Sequence, residues 1–253
     1  MMPDKRSSHI IPIHGISLIN IGDDIAEIIL STLEKQALEI REGDIVVITH
    51  SIVSVAEGKV YEIQEVRPSE KAKQIAENTG QLPERVEIAL KESVQVLRED
   101  PVLITITKQG LVTDYSGVDE SNAPSGTIVA LPDEPDESAR RISNKLSKKT
   151  GFNVPVIITD TQGRPWRQGA INLAIGIAGM SPFTENMGKP DIYGSELRGS
   201  LVCLADQIAS ASELAMGQAD EGVPIAIARG FAYMEEDGSA SSIIRSSSEN
   251  LFL

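Results

Sequence analysis

The first chemistry in this chain lies where oxygen-bearing side chains and arginines follow an apolar run. In Ile157-Ile-Thr-Asp-Thr-Gln-Gly-Arg164, the stretch Val154 to Thr159 has the composition of a buried strand. Such a strand delivers Asp160 and Thr161 at its C-terminal end, with Gly163, Arg164 and Arg167 following. Carboxylate and hydroxyl oxygens suit Mg2+ or Mn2+, and guanidinium groups suit phosphate or carboxylate. The same residues also read as a turn in which Asp160 caps what comes next. Ser116-Gly-Val-Asp-Glu-Ser-Asn122 sets Asp119 and Asn122 in a polar loop after a strand. Asx side chains often satisfy their own turns, but Asp119 paired with Asp160 could share one divalent cation that bridges nucleotide phosphates. In Met216-Gly-Gln-Ala-Asp-Glu-Gly222 a helix C-cap accounts for Gly217. It leaves Gln218, Asp220, Glu221 and Gly222 to form a phosphate or metal loop.

Composition narrows what these segments can serve. The chain has 253 residues, 41% hydrophobic and 24% charged, enough for one large or two small units with a buried core. A formal net charge of −14 and a pI near 4.7 argue against nucleic acid or an anionic membrane as partner. Anionic small molecules remain open to it if cations, backbone N–H groups or a metal gather at one place. Aromatics are 4%, so base-stacking platforms are not expected, and Trp166 stands alone. Cys203 has no partner for a disulfide and reads as inert core on the apolar side of a helix. His9, His14 and His50 are too scattered for a histidine metal site, and neither a P-loop nor a GxGxxG follows a strand. The polar leader MMPDKRSS lacks a signal-peptide core and no run approaches a membrane span, so a cytoplasmic protein is expected.

The elements that must position these groups read as follows. Ile10 to Ile13 is a strand, and Gly22-Asp-Asp24 opens a helix with Ile25, Ile28, Ile29 and Leu33 on one face. Ile45 to Thr49 is a doubly buried strand, and Lys59 to Ile63 a half-exposed one. Pro68-Ser-Glu70 starts a helix that Gly80 ends. Pro83 starts another, with Val86, Ala89, Leu90, Val94 and Leu97 on its stripe. Strands are expected over Val102–Thr107, Thr127–Leu131 and Val223–Ala228, with an acidic loop over Pro132–Asp136. Glu137 to Thr150 is a helix whose basic residues form a solvated face. Glu196 to Met216 is the longest helical pattern, with Leu197, Leu201, Leu204, Ala205, Ile208 and Leu214 inward. The type of Ala170–Met180 is undecided by its pattern, and the Ser-rich tail is expected to fray. The class is mixed α and β, without a linker that would part the chain into beads.

Taken in order, the motifs resemble one family from about Ile11 to Arg229. They are Pro12-Ile-His-Gly15, Gly22-Asp-Asp24, Ser54-Val-Ala-Glu-Gly58, Pro68-Ser-Glu70, the Gly-x-Asp-x-Ser-Asn loop at Gly117, the Thr-Asp-Thr-x-Gly-Arg run at Thr159, Tyr193-Gly194 and Met216-Gly217. The chain resembles the coenzyme F-420:gamma-glutamyl ligases. The resemblance implies an α+β fold of two intimately packed sub-domains in a single module over residues 1–253, working as an intertwined homodimer. It implies a GTP-dependent ligase using Mg2+ or Mn2+, with K+ as a further cation. In such an enzyme the carboxylate of a phosphorylated deazaflavin, coenzyme F-420-0, is activated by phosphoryl transfer and attacked by the amine of L-glutamate. Carried onto this chain, Asp119, Asp160, Thr161 and Gln218 match metal positions. Pro12, Ile13, His14, Gly15, His50, Ser51 and Asn122 match nucleotide positions, with Met216, Gly217, Asp220 and Gly222 joining them from the loop above. Arg164 and Arg167 are the candidate catalytic cations. Where the family has Ser-Lys-x-Glu-Gly, this chain has Val55, and Lys59 on a strand would lie roughly 13 Å away. Two other readings stand beside the ligase: a nucleotide- or deazaflavin-binding regulatory protein, and a ligase for another phosphorylated carboxylate.

Overall fold

The computed structural model describes residues 7–252; most of the polar leader lies outside the described residues. Chain order runs β1 (His9–Pro12), α1 (Ile25–Lys35), β2 (Ile45–Thr49), α2 (His50–Ala56), β3 (Val60–Glu62), α3 (Glu70–Thr79), α4 (Pro83–Lys91) and β4 (Ser93–Arg98). It continues with β5 (Ile104–Thr107), β6 (Val112–Asp114), β7 (Thr127–Val129), α5 (Pro135–Thr150), β8 (Val156–Arg164), β9 (Arg167–Ala178), β10 (Phe183–Glu185), β11 (Leu201–Cys203), α6 (Leu204–Met216) and β12 (Ile225–Arg229). The fold is mixed α and β, as expected.

The central sheet has the order β1-β12-β2-β8-β9. β2 and β8 are parallel, with Thr49 opposite Thr159, and the other neighbours are antiparallel. The uninterrupted apolar run of β2 is explained by two cores, one on each face. Val46 and Ile48 join Val156, Ile158, Ile225 and Ile227 beneath α1 and α5, whereas Ile45 and Val47 join Ile157, Ile177 and Ala226 beneath α6. A third core draws on residues 66–130, where α3 and α4 pack by Ile75, Ala76, Val86, Ile88 and Ala89 against Leu103, Tyr115 and Ile128.

Local signals set the helix ends. The Asp24 carboxylate accepts from Ala26 N at 3.1 Å and Glu27 N at 3.4 Å, capping α1, and Ser69 Oγ accepts from Ala72 N at 3.2 Å to cap α3. The basic face of α5 is partly tied down, Lys145 reaching the Asp24 carboxylate and Arg141 that of Glu57.

Several expectations are corrected. The stripe assigned to α4 ends at Lys91, and Val94 and Leu97 belong to β4, where Val94 is largely exposed. Alternation over Ser93–Arg98 outweighs the helical spacing once pairing with β5 is available. The long helix expected from Glu196 begins at Leu204, because Leu201–Cys203 pairs with β10; Leu201 and Leu214 face outward. Cys203 accordingly precedes α6 rather than lying on it. The acidic loop stops at Glu134, since Pro135 already opens α5. Ala170–Met180 is mostly strand, and Asp160 is not at a strand end, since β8 runs on to Arg164 and turns directly into β9. The Ser-rich tail makes a helical turn at Ala240–Ile243, held by Ala240 N donating to Asp136 Oδ1 at 2.7 Å.

β9 is an edge strand, and helix side chains occupy its open edge. Asn172 N donates to Glu213 Oε2 at 2.9 Å, Ala174 N to Asp206 Oδ1 at 2.9 Å and Ile177 N to Asp136 Oδ1 at 2.8 Å. Three N–H groups that would otherwise offer a pairing template are thereby filled.

Candidate active site

The sheet register collects the candidate residues at one end. β1, β2 and β8 all run toward that end, while β12 and β9 start from it. Pro12 lies opposite Ala226, and Ile13 N continues the ladder by donating to Ile225 O at 2.9 Å, so His14 and Gly15 project past the sheet. Thr49 N reaches Pro224 O at 3.0 Å, fixing the segment after Gly222 beside the end of β2. Thr161 pairs with Asn172 across the β8–β9 ladder. Segments far apart in sequence thus meet at the C-terminal ends of the parallel pair.

Asp160 is 6% exposed, and its Oδ1 lies 3.3 Å from His50 Nε2. His50 is the first residue of α2, and its Nδ1 lies 3.3 Å from Ser54 Oγ, one turn on. Thr161 Oγ1 donates to Asn172 Oδ1 at 2.6 Å and accepts from Gln218 Nε2 at 2.9 Å. Gln218 Nε2 also meets Glu213 Oε1, and Asn122 Nδ2 donates to Gln218 O at 3.4 Å. Thr161, Gln218 and Asn122 are therefore parts of one polar assembly, while the Asp160 carboxylate, one residue back on β8, is engaged separately with His50.

Its loops are conformationally committed. Gly217 has φ +72° and ψ −178°, a backbone conformation that suits glycine at this exit from α6, and a Cβ there would also displace the flexible end of Glu221. On the opposite side Tyr115 and Ser116 precede the Asp119 loop at φ 45° and 55°, left-handed values that cost non-glycine residues energy. They are held there: Ser116 Oγ donates to Ala89 O at 2.7 Å, Arg85 stacks 4.8 Å over the Tyr115 ring, and its guanidinium donates to Val118 O at 3.1 Å.

Other candidates are placed differently. Asp119 Oδ1 accepts from Ser121 N at 2.9 Å in an Asx turn, and the loop meets the assembly through Asn122 rather than through a contact with Asp160. The side chains of Ile13 and Met216 are buried in the two cores, which leaves their backbones to the site. Ser51 Oγ lies 2.5 Å from Thr49 Oγ1 at the start of α2. Asp220 and Gly222 are exposed in the loop after α6. Arg164 sits four residues beyond Asp160, about 13 Å along the strand, and donates to Gln168 O at 2.8 Å and Gly169 O at 3.2 Å. Arg167 is exposed beside it at the hairpin tip.

Val55 is on α2 and 7% exposed, so the extended spacing to Lys59 does not apply. Lys59 does not stand in for the family lysine. Its Nζ contacts Asp133 Oδ1 at 2.8 Å and Glu92 Oε1 at 3.4 Å, and despite partial burial these carboxylates hold its pKa above the ordinary value. The Tyr61 hydroxyl, 2.5 Å from the same Glu92 oxygen, is pushed up to about 12 by burial and that carboxylate. Burial likewise pushes the Cys203 thiol up to about 12.

The donors offered at this end of the sheet are oxygens: the Thr161 hydroxyl and the Gln218 amide, which belong to one contact network, the Asp160 carboxylate held by His50, and Asp119 on the loop that Asn122 ties in. That set suits a hard divalent cation such as Mg2+ or Mn2+. Among the described residues no three His, Cys, Asp or Glu side chains cluster as a group that could hold a metal ion. Two contributors escaped the sequence reading. Asn172 lay in an apolar stretch of undecided type, and its place opposite Thr161 follows only from the hairpin. Glu213 read as one polar residue on a helix, and nothing local tied it to Gln218, although five residues separate them.

Comparison with known proteins bears on the family. The family model of F420-0:Gamma-glutamyl ligase matches residues 15–230. The chain is 42% identical over 239 residues to the coenzyme F420:L-glutamate ligase of Methanothermobacter thermautotrophicus, covering 93% of this chain and 95% of that one. It is 44% identical over 236 residues to that of Methanopyrus kandleri, covering 91% and 92%. With the Methanocaldococcus jannaschii ligase it shares 38% over 253 residues, covering 100% and 99%. With its residues gathered at one sheet end and its length matched almost throughout, the chain belongs to the F420-0:gamma-glutamyl ligase family.

Proposed function

We propose that this protein is a GTP-dependent carbon–nitrogen ligase that joins L-glutamate to the carboxylate of a phosphorylated deazaflavin, coenzyme F-420-0. The observation that carries the reading is the chain of contacts from Thr161 through Gln218 to Asn122, at the sheet end toward which the Pro12–Gly15 segment also runs, in a family whose relatives are named coenzyme F420:L-glutamate ligases. Transfer of the γ-phosphoryl group of GTP to a carboxylate oxygen gives an acyl phosphate and GDP. The glutamate amine then attacks the acyl carbon, phosphate leaves, and the amine gives up a proton.

Each segment has a part in this scheme. Asp119, Asp160, Thr161 and Gln218 hold Mg2+ or Mn2+, which supplies charge neutralisation at the phosphate oxygens. Pro12–Gly15, Ser51, Asn122 and the loop from Gly217 to Gly222 surround the nucleotide, largely with backbone groups. Arg164, half-buried, and Arg167, exposed at the hairpin tip, take the phosphate or carboxylate of a substrate. The chain acts as one module, because the site draws on residues from Pro12 to Gly222. It acts as a cytoplasmic homodimer; no helix among the described residues is long and apolar enough to cross a membrane.

The test is to incubate the purified protein with GTP, Mn2+, L-glutamate and coenzyme F-420-0 and to follow products by mass spectrometry. A product heavier by one glutamyl unit, formed with stoichiometric GDP, is expected. GDP-free reaction mixtures without glutamylated product, from folded protein at saturating substrates, would refute the reading.

A further inference from the structure

His50 matches a nucleotide position of the family, yet its side chain is 6% exposed and both ring nitrogens are engaged inside the protein. The hydrogen-bond directions follow from the partners. A carboxylate oxygen only accepts, so Nε2 carries the proton that goes to Asp160 Oδ1, and Nδ1 takes the hydroxyl proton of Ser54. Ser54 is wholly buried and cannot be exchanged for water. Rotating the imidazole would break both contacts at once and leave two or more buried polar groups unpaired, which is expensive.

The other carboxylate oxygen is in a different situation. Among the described residues Asp160 Oδ2 has one hydrogen bond, a long one of 3.5 Å from Gln162 Nε2. One oxygen is thus engaged by His50 and the other is held only loosely, in a residue that is 6% exposed. The arrangement arises because Thr49 and Thr159 are in register on parallel strands, which sets residue 50 beside residue 160, and because α2 begins at once, bringing Ser54 under the ring. Carboxylates that bind metals are generally steadied by such outer partners.

We propose that His50 is a positioning residue, held by Ser54, that clamps Oδ1 of Asp160 so that Oδ2 alone is offered to the divalent cation. This rests on the reading of Asp160 as a metal ligand. It assigns the His50 side chain to the metal side of the site and leaves the nucleotide only its backbone.

The test measures Mn2+ binding from the electron paramagnetic resonance of free Mn2+, with GTP present, without the acceptor substrates, and against a protein-free control for the Mn2+ that GTP itself takes up. His50→Phe keeps the ring volume and removes both hydrogen bonds; it is expected to weaken Mn2+ binding about 10- to 100-fold. Ser54→Ala is expected to weaken it by about fivefold. His50→Gln, which can still donate to Oδ1, is expected to recover part of the loss. Mn2+ affinity unchanged in a folded His50→Phe protein overturns the proposal. If His50→Phe does not fold, unchanged affinity in Ser54→Ala overturns it instead. Should the native protein itself bind no Mn2+ with GTP, the reading of the site falls and the proposal with it. Native binding that survives the His50 and Ser54 substitutions while Asp160→Asn abolishes it overturns the proposal alone.

Discussion

At the scale of single residues, the site separates groups that meet the cation from groups that hold them. Asp160→Asn keeps the shape and an acceptor for His50 but removes the charge, so turnover at saturating Mn2+ is expected to be lost while thermal unfolding changes little. Near-native turnover in this variant, measured by GDP release, would count against a metal role for Asp160. Cys203 is the opposite case. With its thiol pushed up to about 12 by burial, almost none of it is thiolate at pH 8, and the thiolate is the nucleophile. Ellman's reagent at pH 8 is expected to react slowly with the folded protein and rapidly after unfolding in guanidinium. Fast labelling of the native chain would show that the thiol is more open than its setting implies.

At the scale of elements, two short segments carry more than their length suggests. Asp24 caps α1 and also receives Lys145 from α5, and these contacts hold its carboxyl below the ordinary value of 3.8. A depressed carboxyl stabilises the fold above its unfolded pKa, and the contribution is lost as pH falls through the folded value. Asp24→Ala is expected to cost about 1 kcal/mol at neutral pH. The gap to the native protein should close below pH 3.8, which chemical denaturation at several pH values would reveal. The exit from α6 is the second segment. Gly217→Ala forces a Cβ into a backbone conformation suited to glycine and toward Glu221, a strain on the order of 1–3 kcal/mol. Because Gln218 follows directly, nucleotide and Mn2+ affinity are expected to fall more than the melting temperature does. An equal Mn2+ affinity in calorimetry would mean that the loop tolerates the shift.

At the scale of the whole molecule, exposed apolar side chains mark where cover is needed. The apolar Ala170–Met180 stretch needs no outside cover, since Ala174, Ile175, Ile177, Ala178 and Met180 are buried within the chain, against α5 and α6. The exposure lies elsewhere: Trp166 at the hairpin tip is 76% exposed, and Ile192, Tyr193, Leu201 and Leu214 are open as well. These side chains are where the proposed homodimer would find apolar surface to cover. Sedimentation at micromolar concentration is expected to show a dimer. Trp166→Asp or Leu214→Asp is expected to shift it toward monomer. A native chain that sediments as a monomer would leave these side chains without that explanation.

The amino-acid sequence by itself determined the local features. Asp24, Ser69 and Pro83 mark helix starts, Gly80 and Gly151 mark ends, and the run Ile45–Thr49 marks a strand buried on both faces, because caps, breakers and unbroken apolarity act over a few neighbours. It also determined, through ordered motifs, the family and the identity of Asp160, Thr161 and Gln218 as residues of interest. Only tertiary structure decided the competitions that local signals leave open. Ser93–Arg98 and Leu201–Cys203 became strands because partners β5 and β10 were available, and Ala170–Ala178 became the return arm of a hairpin rather than a helix. Likewise, no spacing places Glu213 on the Gln218 amide, Asn172 against Thr161, or His50 between Ser54 and Asp160. Those contacts come from strand register and from the packing of α6 on β9, long-range terms in which residues distant in sequence satisfy one another's buried polar groups.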